Sequence, residues 1–176
     1  MYQADRLHVF AAESDSLAVV TSSEELKQVL KSREDDSKLI AGLPGTEGSH
    51  SLDGDLDNIK RLYDAGFRMM SLQHFFDNKL GGSLHGESNT GLTDFGREAV
   101  RLMDSMGIMI DVSHSSPQVV GDVLNLIDSP LIVSHTGFKG HCDQKRNISD
   151  DLMMRIAERG GLIGVGFWSE AVCGTD

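Results

Sequence analysis

Short apolar runs alternate with helical patterns along most of this chain. Strand-length runs occur at residues 38–42, 67–72, 107–113, 130–135 and 162–168. Between them, apolar residues recur three and four positions apart, the spacing of an amphipathic helix. Strands that alternate with helices in this way form parallel sheets with right-handed crossovers. The pattern therefore predicts an α/β fold.

Helix boundaries are marked by residues with specific capping roles. Gly66 and Gly107 follow two apolar-periodic segments and suit the left-handed conformation that ends a helix. Four helix starts carry capping side chains: Ser22 with Glu25 three residues later, Thr93, Ser116 before Pro117, and Ser149. These signals predict helices from about 23, 55–65, 94, 117 and 150–159.

The number of predicted strands separates two parallel architectures. An open doubly wound sheet and a closed barrel both fit the alternation, but a closed (β/α)8 TIM-type barrel usually needs eight strands and about 250 residues. This chain has 176 residues and five predicted strands. We therefore expect a single domain, residues 1–176, that forms a portion of a barrel and lacks the first and last strands.

Charge and hydropathy narrow the range of partners. The chain has 16 basic and 27 acidic residues and a net charge of −11, which disfavours nucleic acid or an anionic membrane surface as the main partner. It contains no apolar run of about 18 residues and no signal segment at residues 1–10. The composition is that of a globular protein.

Four potential ligands stand where predicted strands end. Glu47, His74, His114 and His135 each follow or close a short apolar run. The carboxyl ends of parallel strands meet on one face of a barrel, so we expect these side chains to converge. Neutral imidazoles with a carboxylate suit a zinc-like cation. Asp111 is expected either to orient an imidazole from behind or to be a structural carboxylate.

A long segment rich in Gly, Ser and Asn covers residues 75–92. Loops of this length without secondary structure of their own are uncommon in compact domains and are usually functional. We expect it to lie over the face where the four side chains converge.

Taken together, these motifs resemble the membrane (renal) dipeptidase family of zinc peptidases, especially its bacterial members. The resemblance covers residues 17–173 and rests on ordered segments. They are Glu47-Gly48 with His50, Leu52-Asp53-Gly54-Asp55-Leu56, Arg61 to Arg68, His74-Phe75-Phe76-Asp77-Asn78, Gly91-Leu92-Thr93, Asp111-Val112-Ser113-His114, Ser134-His135-Thr136 and Arg146 to Asp151.

The resemblance implies a metal-dependent hydrolase of the barrel type that cleaves dipeptides at two zinc ions. Glu47 matches the glutamate that bridges the ions, and His114 and His135 match the histidines of the second zinc. His74 matches a histidine that contacts substrate, so Glu47 and His74 are the expected catalytic residues. Arg146 matches the arginine that pairs with the dipeptide carboxylate.

The chain departs from the family pattern at the other zinc. That ion needs a His-x-Asp pair on an early strand, and the early part of this chain has none. We therefore identify the ligands of one zinc, His114 and His135, and the bridging Glu47, but no further ligand for the other zinc. The family's late acidic residue has no counterpart here either, so the chain is expected to be partial and to expose apolar sheet edges.

Other expectations follow from the resemblance alone. Cys142 and Cys173 stand where related sequences also carry cysteines, which implies a disulfide and fits an exported or membrane-associated protein. A homodimer is also implied.

Two alternative functions remain open at this point. One is a related amidohydrolase that acts on lactam or N-acyl amino acid substrates, because Arg146 would bind their carboxylates as well. The other is a non-catalytic protein that holds a single metal at Glu47, His114 and His135. Metal content and substrate range separate these alternatives.

Overall fold

Seven α-helices, one short 3-10 helix and seven strands are present in the computed structural model, which describes residues 2–174. The helices are α1 Tyr2–Ala12, α2 Ser23–Ser32, α3 Asp57–Asp64, α4 Asp94–Ser105, α5 Pro117–Leu126, α6 Asp150–Glu158 and α7 Ser169–Val172. The strands are β1 Leu17–Val19, β2 Ile40–Gly42, β3 Gly45–Thr46, β4 Met69–Ser71, β5 Met109–Asp111, β6 Ile132–Thr136 and β7 Leu162–Val165.

All strand pairs that form the two sheets are parallel. Strands β3 to β7 make a five-stranded sheet in which spatial order equals chain order, and β1 pairs with β2 in a separate two-stranded sheet. Helices α4, α5 and α6 connect successive strands of the larger sheet. Successive parallel neighbours with helical crossovers are the repeating unit of the (β/α)8 barrel, so the predicted fold class is confirmed.

Four of the predicted helices begin at a residue whose side chain caps the first turn. The Ser22 hydroxyl accepts from the Glu25 N–H, and the Glu25 carboxylate accepts from the Ser22 N–H, which completes a capping box. Thr93, Ser116 and Ser149 accept in the same way from the backbone N–H three residues on. The sequence signals for these four helix starts are therefore confirmed.

The core lies between the sheet and its helices. Met70 and Ile110 are neighbours in register on β4 and β5, and both are buried, whereas Met69 and Met109 on the opposite face are partly exposed. Residues that share the buried core include Val100, Met103, Val119, Val123, Val133 and Ile156. One face of the sheet thus packs on helices, while the other remains accessible, as the interior face of an open barrel portion would be.

One strand prediction is wrong in its placement. The run at 38–42 becomes β2, Ile40–Gly42, which pairs with β1 and takes no part in the five-stranded sheet. The strand that leads to Glu47 is instead β3, only two residues long, and it pairs with β4. Helix α1, strand β1 and helix α7 were not predicted. Strand β1 and helix α7 have three and four residues, which are too few to show a periodic pattern, and the eleven residues of α1 have only a weak apolar stripe.

The last strand of the larger sheet leaves apolar side chains in solvent. Leu162 and Val165 on β7 and Phe167 just after it are 66%, 45% and 83% exposed. The predicted exposure of apolar side chains at a sheet edge is therefore confirmed, and association through that edge stays a prediction. Among residues 2–174, no helix has the length and apolar character needed to cross a membrane.

Candidate metal centre

Four side chains converge at the carboxyl ends of strands β3 to β6. One carboxylate oxygen, Glu47 Oε1, lies 3.3 Å from His114 Nε2, 3.4 Å from His135 Nε2 and 3.6 Å from His74 Nε2. The donor atoms of Glu47, His74 and His114 all lie within 4.8 Å of one another. The convergence predicted from the strand ends is therefore present in the structure.

A tight turn directs Glu47 toward the histidines. Gly48 follows it with φ +83°, and a Cβ at this position would lie 3.0 Å from both His50 Cδ2 and His74 Cβ. Ser49 fixes the turn to β4, because its hydroxyl donates to Ser71 O at 2.8 Å. Only glycine fits such a left-handed, crowded position without strain.

His114 is the most buried of the three imidazoles, with 5% of its surface exposed. Its backbone adopts φ +63°, a left-handed conformation that is uncommon outside glycine and clusters at functional sites. Burial, aided by the nearby Arg146 charge, lowers the pKa of His114 to about 3. The imidazole is therefore neutral at physiological pH, as a metal ligand must be.

An irregularity in β6 presents His135 to the centre. The register with β7 advances from Val133 to Thr136 on β6 while it advances only from Ile163 to Val165 on β7, so one extra residue is accommodated. Such bulges re-aim side chains next to functional sites. His135 Nε2 lies 2.9 Å from His114 Nε2, and burial also lowers the pKa of His135.

Hydrogen bonds behind His135 fix the position of its ring proton. The buried Asp111 carboxylate accepts at Oδ1 from the Ser113 and Ser134 N–H groups, and at Oδ2 from the Ser134 hydroxyl at 2.6 Å. The single hydroxyl proton of Ser134 is thus used, so Ser134 Oγ accepts from His135 Nδ1 at 2.9 Å. With its proton on Nδ1, His135 has a free lone pair on Nε2.

Arg146 reaches the centre from the loop between β6 and α6. Its Nη2 donates to His135 O at 2.9 Å, and its guanidinium carbon lies 5.2 Å from the Trp168 ring centroid. Burial lowers the pKa of Arg146 from its ordinary value, but the side chain remains a cation. A guanidinium with free N–H groups beside a metal centre is suited to bind a carboxylate.

A disulfide joins Cys142 and Cys173, thirty-one residues apart in sequence. It ties the loop that carries Arg146 to the end of α7. Asn147 reinforces this connection, since its Nδ2 donates to Cys142 O and to Ala171 O. The covalent and hydrogen-bonded ties together position Arg146 next to Trp168.

Asp77 organises the loop at 75–92, which contains no helix or strand. Its carboxylate accepts from the N–H groups of Ser83 at 2.7 Å, Ser88 at 2.9 Å and Glu87 at 3.1 Å. These bonds lower the pKa of Asp77 below its usual range, and the bond from the Ser83 N–H has the largest effect. A carboxylate with a depressed pKa stabilises the folded loop above the unfolded-state pKa, and this contribution is lost as pH falls through the folded-state value.

We expect Asp77→Asn to loosen this loop at neutral pH. The neutral amide is a weaker acceptor for the three N–H groups, so amide hydrogen exchange at Ser83 and Ser88 should accelerate about tenfold. In the unmodified chain the same protection should fall only below about pH 4. The control is Asp53→Asn, because that carboxylate is exposed and its ion pair within residues 2–174 is a loose one with Lys79, at 3.9 Å. Unchanged exchange in Asp77→Asn would contradict the anchoring role.

A cavity of about 370 Å³ adjoins the centre, and sequence reasoning missed several of its residues. Its walls contain Phe75, His85, His114, His135, Arg146, Trp168 and Glu170. The His85 ring lies 5.4 Å from that of His114, between ring centroids. The long loop at 75–92 was the available signal for Phe75 and His85, whereas nothing in the pattern around Trp168 and Glu170 distinguished them.

Two further histidines, His50 and His141, are not among the side chains that converge at the centre. His50 begins a short 3-10 helix, and exposed His141 lies in the loop after β6. His141-Cys142-Asp143 is a His-x-Asp triplet by sequence, but it follows β6 rather than an early strand, and its Cys142 is in the disulfide. Residues 2–174 therefore supply no early His-x-Asp pair beside Glu47.

A parallel α/β sheet with imidazoles and a carboxylate at the carboxyl ends of successive strands defines the class, a barrel-type α/β protein with a candidate metal centre at the carboxyl ends of its strands. The family model for membrane dipeptidase, peptidase family M19, matches residues 1–176. The chain belongs to this family of metallopeptidases. The resemblance noted from the sequence motifs is confirmed.

Individual relatives agree with the family assignment. The chain is 34% identical over 131 residues to an uncharacterised dipeptidase of Schizosaccharomyces pombe, a match that covers 73% of this chain and 32% of the relative. It is 32% identical over 169 residues to human dipeptidase 3, covering 93% and 33% of the two chains. The chain thus spans about a third of the length of these curated relatives.

Solved structures share the fold. The probable dipeptidase PvdM from Pseudomonas aeruginosa superposes with a TM-score of 0.85 at 24% identity, over 96% of this chain and 43% of that one. A metallopeptidase from Rhodobacter sphaeroides, liganded with a phosphinate mimic of the dipeptide L-Ala-D-Ala, gives a TM-score of 0.76 at 24% identity, over 93% and 47%.

Proposed function

We propose that this chain carries half of the metal centre and part of the substrate site of a zinc-dependent dipeptidase. The observation that carries the proposal is the single Glu47 oxygen within 3.6 Å of three imidazole nitrogens. A carboxylate in this position is suited to bridge two cations. The family assignment and the dipeptidase relatives support the same reaction.

The chemistry of the donor set fits a zinc ion. Glu47, His114 and His135 would hold it, and His74 is near enough to Glu47 either to join the ligands or to contact substrate, the role the resemblance gives it. Two neutral imidazoles and a carboxylate are common zinc ligands. When bound, zinc lowers the pKa of a coordinated water and polarises the amide carbonyl.

The chain's own residues would select and orient the substrate. Arg146 has guanidinium N–H groups beyond the one used by His135 O, and these would bind the free carboxylate of a dipeptide. Trp168 packs against the guanidinium and restricts its position. The adjoining cavity of about 370 Å³ has room for a ligand of dipeptide size.

We expect Asp111→Asn to weaken zinc binding about 10- to 100-fold, as loss of an outer-shell partner typically does. If the amide oxygen keeps the two backbone N–H donors, the amide NH2 replaces Oδ2 and donates to Ser134 Oγ. Ser134 then donates its proton to His135 Nδ1, and the His135 ring proton moves to Nε2, where it blocks coordination.

Nitrogen-15 NMR of the metal-free chain separates this effect from a loss of packing. The His135 tautomer should change from Nδ1–H to Nε2–H in Asp111→Asn, and competition with a chromophoric chelator should show the weaker zinc affinity. Ser134→Ala is the companion variant, since it removes the hydroxyl but leaves the carboxylate. An unchanged tautomer in Asp111→Asn would contradict the hydrogen-bond assignment.

Metal content and hydrolysis of a simple dipeptide by the purified chain test the proposed function. Because the chain carries only half of the centre, we expect bound zinc and slow cleavage of L-alanyl-L-alanine, but no cleavage of its C-terminal amide, which lacks the carboxylate that Arg146 would bind. Preference for N-acyl amino acids or lactams would favour the related amidohydrolase instead. One zinc per chain without turnover of any of these substrates would favour a non-catalytic single-metal protein.

A further inference from the structure

A second cavity, of about 400 Å³, lies above β5 and β6 between the first turns of α5 and α6. Pro117 and Gln118 contribute to its wall from α5, and Ser149 and Leu152 from α6. Its volume is in the range of small-molecule sites, about 300–1,000 Å³. No role in the proposed dipeptide hydrolysis accounts for this cavity.

The charge of the wall is the opposite of the charge of the chain. Lys139, Lys145 and Arg146 line the cavity, and no aspartate or glutamate does so among the described residues. The whole chain, by contrast, has 27 acidic and 16 basic residues. Lys139 lies 3.5 Å from the exposed Asp143, and Lys145 forms no ion pair within residues 2–174. An acid-free basic wall in an acidic protein favours an anionic ligand.

Two helix N-termini add to this positive potential. Helices α5 and α6 have ten and nine residues, and both begin beside the cavity. The first turns of helices present N–H groups with a partial positive charge, which attracts carboxylates and phosphates. Asp150 and Asp151 in the first turn of α6 oppose this effect, but neither is in the wall, and Asp150 already accepts from Gly140 N.

A buried polar atom without a partner also points to a ligand. His114 lines both this cavity and the metal-binding one. Its Nε2 is directed toward Glu47 and His135, and its Nδ1 is buried with no hydrogen-bond partner among the described residues. Metal-ligating histidines almost always donate their other ring N–H to an acceptor. An anionic ligand in the second cavity would lie beside this unpartnered ring nitrogen.

The wall also has an apolar part, beside polar side chains such as Asn89, Thr136 and Asn147. Six side chains from the strands, the helices and the loops form this apolar part: Leu84, Val112, Val120, Val133, Ile148 and Leu152. Burial of aliphatic groups against such a surface is favourable. The cavity therefore combines recognition of an anionic head with recognition of a short aliphatic tail.

We propose that this cavity is a second small-molecule site, which binds a carboxylate with a short branched aliphatic tail. His114 and Arg146 lie in the wall between this cavity and the dipeptide site, so each of them lines both. The site would therefore sense amino-acid-sized carboxylates next to the metal centre. Its occupancy does not depend on whether the metal centre hydrolyses dipeptides.

Titration of the full chain with 4-methylpentanoate in the presence of EDTA tests this proposal. EDTA removes metal, so the probe cannot bind by coordination. We expect saturable binding by isothermal calorimetry with a dissociation constant of about 1 mM, in keeping with a ligand of this size. The uncharged 4-methylpentanamide should bind at least about tenfold more weakly, because it lacks the charge that the basic wall attracts.

Two charge variants locate the bound probe. Lys145→Glu and Gln118→Glu change exposed side chains at the cavity, so both should fold, and each should weaken binding at least about fivefold. Lys38→Glu is the matched control for Lys145→Glu, since it makes the same charge change at an exposed position near β2 and should leave affinity within about twofold.

Several outcomes would overturn the proposal. These are absence of saturable binding up to tens of millimolar, equal affinity for the acid and the amide, or equal effects of Lys145→Glu and Lys38→Glu. Binding that appears only when zinc replaces EDTA would place the probe at the metal centre and would also overturn it. None of these results would affect the test of dipeptide hydrolysis.

Discussion

Glu47→Gln is expected to lower zinc affinity at least about 100-fold and to remove dipeptide hydrolysis. The substitution keeps the size of the side chain but replaces a charged ligand with a neutral amide, which hard and borderline cations bind poorly. The Glu47 oxygen is the atom that all three imidazoles approach. Zinc affinity is measured by competition with a chromophoric chelator, and hydrolysis by release of free amino acid.

The stability of the Glu47→Gln variant shows whether weaker zinc binding comes from loss of a ligand or from loss of the fold. The Glu47 side chain is 55% exposed, so the metal-free variant should unfold at about the same urea concentration as the unmodified chain. Glu34→Gln is the control, because it makes the same charge change at an exposed position between α2 and β2. Zinc affinity of Glu47→Gln within threefold of the unmodified value, about 0.7 kcal/mol, would refute the bridging role.

Replacement of both Cys142 and Cys173 by serine is expected to destabilise the chain by about 3–4 kcal/mol. The disulfide closes a loop across a sequence separation of 31 residues, and closure of a loop of that size removes a corresponding amount of unfolded-state entropy. Urea unfolding under non-reducing conditions measures the change. The midpoint should fall, and the slope should steepen because the unfolded chain becomes more expanded.

The unmodified chain under reducing conditions is the control for this variant. It should unfold at the midpoint of the double serine variant, since both lack the same cross-link. Asn147 still connects Cys142 O with Ala171 O after the change, so the folded loop is expected to stay docked below the transition. Equal midpoints for oxidised and serine forms would show that the disulfide does not stabilise the fold.

Periodic and capping signals were sufficient to predict most of the larger elements. The Ser22 capping box and the Ser116-Pro117 start depend on bonds within one turn, so neighbouring residues determine them. Strand β3 was missed because two residues cannot show a period, and its identity depends on pairing with β4. The strand at 38–42 was expected in the larger sheet but pairs with β1 instead. The residues of a strand do not by themselves determine which strand it pairs with.

The residues of the candidate centre also fall into two groups, those that local sequence reveals and those that only the folded structure reveals. Glu47, His114 and His135 were found because each follows or closes an apolar run in the sequence, and parallel strands bring such positions together at one edge. His85, Trp168 and Glu170 approach the centre only through the path of loops. The Ser134 hydroxyl between Asp111 and His135 depends on a bulge in β6 that no pattern of hydrophobic residues reveals.

The order of strands in the larger sheet has a consequence for synthesis of the protein on the ribosome. Because β3 to β7 are neighbours in the order in which they are made, each new strand can dock on one that has already emerged. All four convergent side chains have left the exit tunnel before Cys173 does, since His135 is the last of them. A nascent chain can therefore assemble its metal ligands first, and the disulfide then secures a centre that already exists.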